Sequence, residues 1–237
     1  MKQHFEDFIE DLKKTHGDNL RSVILYGSAA TGEFKPFESN YNLLVALERI
    51  TPEDLRNSHS AVREWVRLGH PVPTYFTVDE LIDSGDVFPI ELHFMERARK
   101  VLYGEDVLAH VEISDENLRH QLEYELRSNL LRLRKRYIEV STDGERLGDL
   151  MGASIASFAA DFRAMLLLRG AEPPVSKREI LRETASAVGI EGGSFEKVLA
   201  IRENEAKQKM DVIAANELFA EYLEDIESVI AAVNVLE

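Results

Sequence analysis

The chain has 237 residues, no cysteine, a hydrophobic fraction of 44% and a formal net charge of −15. That length and apolar content suit one large globular domain or two ordinary ones and exclude a disordered chain. The acidic excess, present in both halves, repels polyanions and argues against long DNA or RNA as a partner, and the lack of cysteine excludes disulfides, thiolate metal sites and cysteine nucleophiles.

The N-terminal MKQHFEDFIEDLKK carries charge throughout and has no apolar h-region, so no signal peptide is expected there and a cytoplasmic protein is. Phe5, Ile9 and Leu12 at helical spacing predict an amphipathic helix over 3–15, ended by Gly17-Asp18. RSVILY, 21–26, predicts a strand broken by Gly27-Ser28, and a second strand follows over 42–47. Thr51-Pro52-Glu53-Asp54 supplies a cap, a proline at the first helical position and early acids. It opens a helix expected to run to about Leu68, ended by Gly69. VPTYFT, 72–77, predicts a third strand despite Pro73, and Thr77-Val78-Asp79-Glu80 is a capping-box pattern for a short helix. FPIELHFM, 88–95, alternates apolar and polar residues and predicts a fourth strand with Glu91 and His93 on its polar face.

After Gly104 only helical patterns remain: from Ser114 to about Tyr137, then 145–169, 177–188, 194–208 and 211–234. The most apolar run, 150–168, contains Asp161 and Arg163 and reads as a buried core helix, not a membrane span. Strands mixed with helices and then helices alone predict an α+β chain of two domains, 1–112 and 113–237.

The informative block is Leu25-Tyr26-Gly27-Ser28-Ala29-Ala30-Thr31-Gly32 followed by Ser39-Asn40-Tyr41-Asn42-Leu43-Leu44-Val45. A strand ending in Gly-Ser with a helix starting there brings backbone N–H groups and a hydroxyl to one spot, an arrangement suited to phosphate. Positions 40 and 42, two apart on a strand, share a face. This block resembles the signature of the DNA polymerase beta-like nucleotidyltransferase superfamily: Gly-Ser, a loop, then Ser-Asp-x-Asp-Leu-Leu-Val. With SVILYGSAATGEF, GHPVPTYFTVDEL, DVFPIEL and RKVLYGED, the stretch from 20 to about 205 resembles bacterial proteins joining such a domain to a helical one, of the kanamycin nucleotidyltransferase-like type.

The resemblance implies a nucleotidyltransferase-fold domain with a small mixed sheet, then an all-helical domain. It implies ATP or another NTP as ligand, with Gly27 and Ser28 as the phosphate-binding pair. In the superfamily two aspartates and a third carboxylate hold two Mg²⁺ ions that clamp the triphosphate. By position Asn40 and Asn42 stand where the aspartates belong, and Glu91 is the match for the third carboxylate. Asparagine brings a carbonyl but no charge, and Mg²⁺ sites rely on carboxylates. One lost charge about 4 Å from a cation removes on the order of 4 kcal/mol per cation charge at an effective dielectric of about 20. Mg²⁺ binding is therefore expected to be weak or absent.

Other residues offer less. His70-Pro71 marks a helix end and strand entry, and Trp65 on an amphipathic helix reads as packing. Arg127, Arg132, Arg134, Lys135 and Arg136 form the densest basic patch, read as a solvated face pairing with Glu123, Glu125 and Glu139, or else as an anion-binding wall. Asp161 is either a buried structural acid or a base. All histidines lie at or before His120, so the later helices lack the Arg-x4–6-His motif of HEPN ribonucleases. Three readings follow: a catalytically impaired protein that keeps the fold to bind a nucleotide or other ligand; a working enzyme moving an NMP to a small molecule or protein; and a structural module acting through a homodimer or protein partner.

Overall fold

The structure is a computed structural model that describes residues 2–30, 40–203 and 210–236. The chain divides into two compact units, Met1–Ser114 and Asp115–Glu237, and it is α+β.

The first unit is a four-stranded mixed sheet covered by helices. Its elements are α1 (Lys2–His16), β1 (Leu20–Tyr26), β2 (Asn42–Leu47), α2 (Pro52–Asn57), α3 (His59–Arg67), β3 (Thr74–Thr77), α4 (Val78–Asp83), α5 (Pro89–Arg97) and β4 (Arg99–Gly104). The sheet order is β3-β2-β1-β4. β1 pairs antiparallel with both β2 and β4, and β3 joins β2 in parallel. Strand alternation sends Val23, Leu25, Leu43, Val45 and Leu47 to one face, against Phe8 and Leu12 of α1 and Ala61 and Trp65 of α3. It sends Ile24, Leu44 and Ala46 to the other, against Leu81 of α4, Leu92 and Met95 of α5, and Val107 and Leu108 of a following 3₁₀ turn. With both faces covered, the two central strands read as apolar runs.

Two expectations are corrected here. The segment 88–95 is not a strand but lies largely in α5. Pro89 sits at its first position, where its fixed φ suits a helix and its missing N–H costs nothing. The buried residues Pro89, Leu92 and Met95 recur every third position. The apolar alternation fitted a strand only because both periods coincide over so short a run. The fourth strand is instead β4, whose Tyr26↔Arg99 and Ile24↔Val101 pairs complete the sheet. The helix expected from Pro52 to Leu68 is broken at Ser58, which is buried. Its hydroxyl turns back to the carbonyl of Asp54 (3.1 Å) and meets His16 Nε2 (2.9 Å), the kind of side-chain bond that bends a helix. The capping box of Thr77 with Glu80 forms as expected, and the expected Thr51 cap is itself a capping box, closed by Asp54.

Gly104 ends β4 at φ +78°, and a Cβ there would lie 1.9 Å from the carbonyl oxygen of Arg21. Gly104→Ala is expected to destabilise by about 2 kcal/mol, from the left-handed backbone and the clash together. Urea unfolding measures it, and a change within about 0.5 kcal/mol would contradict this account.

The second unit contains α6 (Asp115–Val140), α7 (Gly144–Leu168), α8 (Lys177–Val188), α9 (Gly193–Arg202) and α10 (Val212–Asn234). Among its described residues there is no strand. α7 contacts the other four helices. It is long and apolar enough to span a membrane by length and composition, but Met151, Ile155, Phe158, Phe162 and Met165 are buried against its neighbours. Burying such side chains contributes roughly 1.5–3 kcal/mol each. Tyr222 of α10 is enclosed there, its hydroxyl 3.0 Å from Ser154 Oγ.

Candidate functional site

The end of β1 carries the turn the sequence singled out. Gly27 adopts φ +81°, a conformation that disfavours any side chain. Its N–H donates to the carbonyl of Ala98 (2.8 Å), just past α5, and its own carbonyl accepts from Ala30 N–H (2.8 Å). The described part of Gly27-Ser28-Ala29-Ala30 is thus a turn, half-buried and tied to the start of β4. The helix expected to start at Gly27-Ser28 is not formed over 27–30, which are bend and turn, and Gly32 and Ser39 lie in 31–39, outside the described residues. Ser28 is half-buried within the turn.

Asn42 opens β2 opposite Tyr26, and Tyr26 is in turn opposite Arg99. Directly paired residues share a face, so an amide, a phenol and a guanidinium form one row across the sheet end. The row continues the Ile24–Leu44 face that α5 covers. A Cβ on Gly27 would lie 3.4 Å from Asn42 Nδ2, so turn and amide are neighbours. Tyr41 goes to the opposite core, with its ring centroid 5.2 Å from Phe5 and 4.9 Å from His70. Asn40, before the strand, is exposed.

Glu91 lies on α5, not on the polar face of a strand, and is exposed. The strand whose polar face was expected to carry Glu91 and His93 is a helix. What relates the two is that α5 packs on the Asn42 side of the sheet. His93 is half-buried on the same helix. Among the described residues no three His, Asp or Glu side chains gather as metal ligands would. Asn40 and Asn42 bring no charge and Glu91 is exposed on α5, so these three residues do not fit a two-Mg²⁺ donor set. Arg99 is the cation of this row. Its Nε lies 3.0 Å from both carboxylate oxygens of Asp106, and it also bonds the carbonyl of Glu96. Sequence reasoning missed Tyr26 and Arg99 as row partners of Asn42, because that row exists only once RKVLYG is recognised as a strand.

The remaining candidates lie away from the Gly27 turn in sequence. His70 packs on the Trp65 ring at 4.3 Å, and burial lowers its pKa. Trp65 is core. Asp161 is buried on α7 and accepts a hydrogen bond from Asn129 Nδ2 (2.8 Å). Burial drives its pKa up to about 7, partly opposed by that bond and aided by nearby Glu125. The basic patch divides: Arg127 pairs with Glu123 at 2.8 Å and Arg134 with Glu227.

No family model matches the chain, and no curated protein matches it in sequence. In structure it is similar to spectinomycin adenyltransferase AAD(9) from Enterococcus faecialis, a crystal structure with ATP and spectinomycin. The TM-score is 0.54 at 13% identity, covering 97% of this chain and 99% of that one. At that identity the likeness is one of fold: a nucleotidyltransferase-like domain with helices following.

Proposed function

We propose that this protein binds a nucleotide, ATP or another NTP, at the Gly27–Asn42 end of its sheet without relying on Mg²⁺, and that its two-metal transfer chemistry is impaired. The observation that carries this reading is the pair of amides, Asn40 and Asn42, where the resemblance puts metal-binding aspartates, the second beside the Gly27 turn. The physical reason is one of sign. Without a metal, carboxylates there repel a phosphate, whereas an asparagine amide donates hydrogen bonds to it. The Ser28 hydroxyl offers a further donor type. That the similar spectinomycin adenyltransferase was crystallised with ATP supports a nucleotide as the ligand.

Calorimetric titration with ATP, with and without Mg²⁺, tests this. Binding of similar strength in both conditions is the expected result. Absence of binding, or binding that strengthens more than about tenfold with Mg²⁺ together with nucleotide turnover, overturns it.

A second reading, an active enzyme moving an NMP to a small molecule, draws on the same neighbour, whose structure also holds spectinomycin. It requires turnover in that assay.

A further inference from the structure

On α6, three arginines are ion-paired: Arg119 and Arg127 share Glu123, and Arg134 meets Glu227. Arg132 and Arg136 make no ion pair or hydrogen bond among the described residues. In a chain of net charge −15, cations left without a counter-ion are notable. The two are four positions apart and so lie on one face of the helix.

That face borders a pocket of about 130 Å³ between α6 and α7. Its polar lining is Arg132, Arg136, Asn129, Ser154 and Ser157, and its apolar wall includes Leu150 and Phe158. No acid lines it. Asp161 is hydrogen-bonded by Asn129, which does line it. Glu139 and Asp149 line the adjoining groove, which Arg136 also touches. The volume lies below the roughly 300–1,000 Å³ of sites for drug-sized ligands, so the occupant is small. Guanidinium forks match the oxygens of a phosphate or carboxylate, and the wall suits a short carbon skeleton.

We infer that this pocket binds a small organic oxyanion, its acid group on Arg132 and Arg136 and its carbon part against Leu150 and Phe158. The site lies wholly within Asp115–Glu237 and does not rest on the nucleotide reading.

The test is calorimetric titration of the full chain with phenyl phosphate and with benzoate, up to about 10 mM, which fills a site of roughly 1 mM affinity about nine-tenths. Saturable binding of at least one probe is expected. Arg132→Gln with Arg136→Gln should weaken it roughly tenfold or more, since charge-assisted hydrogen bonds are lost. Arg134→Gln, which removes one positive charge outside the pocket, should leave it unchanged. The inference is overturned if neither probe saturates, if the double variant binds as the wild type does, or if Arg134→Gln weakens binding as much as a pocket arginine. Loss of ATP binding with retained phenyl phosphate binding would remove the nucleotide reading alone.

Discussion

Asn40→Asp with Asn42→Asp is expected to reverse the metal dependence of ATP binding: tighter with Mg²⁺ by about a hundredfold, weaker without it. Each substitution adds a unit charge to the mouth of the site. A cation about 4 Å away gains on the order of 4 kcal/mol per cation charge from each at an effective dielectric of about 20. Desolvating the carboxylates consumes much of this. If only about a sixth of the roughly 8 kcal/mol toward the divalent ion survives per carboxylate, the two together still give about a hundredfold. Without metal the same charges face the phosphates, and the interaction changes from donor–acceptor to repulsive. The position of Asn42, paired with Tyr26 and close to the Gly27 turn, makes the effect local. Titrating wild type and double variant with ATP in both conditions gives four affinities, and parallel behaviour of the two proteins would refute the sign argument. Glu91, exposed on α5, is not needed for this outcome.

Asp161→Asn should remove a large pH dependence of stability. Asp161 takes up its proton more readily in the folded chain, with a pKa of about 7 against an ordinary 3.8, because it is buried in α7. Between those values the folded state holds a proton that the unfolded state has released. Its stabilising contribution is therefore complete below the unfolded value and is lost as pH rises through about 7. A difference of this size corresponds to up to about 4 kcal/mol. The substituted amide keeps an acceptor for Asn129 Nδ2 and does not titrate. Variant and wild type should be nearly equal at about pH 4, with the variant more stable at about pH 8. Glu125 acts in the same direction on Asp161 and is left in place, so the difference between the two proteins isolates the one group. Urea unfolding across this range measures it, and superimposable pH profiles would show that Asp161 does not hold its proton.

Much of this was readable from local pattern. The helix of Phe5, Ile9 and Leu12, the strands ending at Tyr26 and starting at Asn42, and the capping box of Thr77 each depend on residues near in sequence. Where two periods overlap, pattern fails. Phe88 to Met95 alternate as a strand does, and only the proline at the first helical position and the burial of Leu92 and Met95 decide for a helix. That error carried Glu91 to the wrong kind of element and hid the Tyr26–Arg99 pair. The basic patch shows a different limit. In sequence Arg132, Arg134 and Arg136 look alike. They are told apart by Glu227, 93 positions from Arg134, which neutralises it and leaves the pocket arginines uncompensated.

The sheet order also bears on how the chain is made. β1 comes early in the chain but lies between β2 and β4, and Ser22 Oγ bonds the carbonyl of Tyr103 across 81 positions. Such pairings are slow to close, whereas α6 and α7 meet through a short connection. During synthesis β1 waits for β4 with one backbone edge unpaired, an edge that carries Val23, Ile24 and Leu25 and is open to pairing with another nascent chain. The Arg21–Glu105 contact and the Gly27–Ala98 bond, at opposite ends of β1, then close that edge together. The Gly27 turn is thus among the last parts of this unit to take its final form.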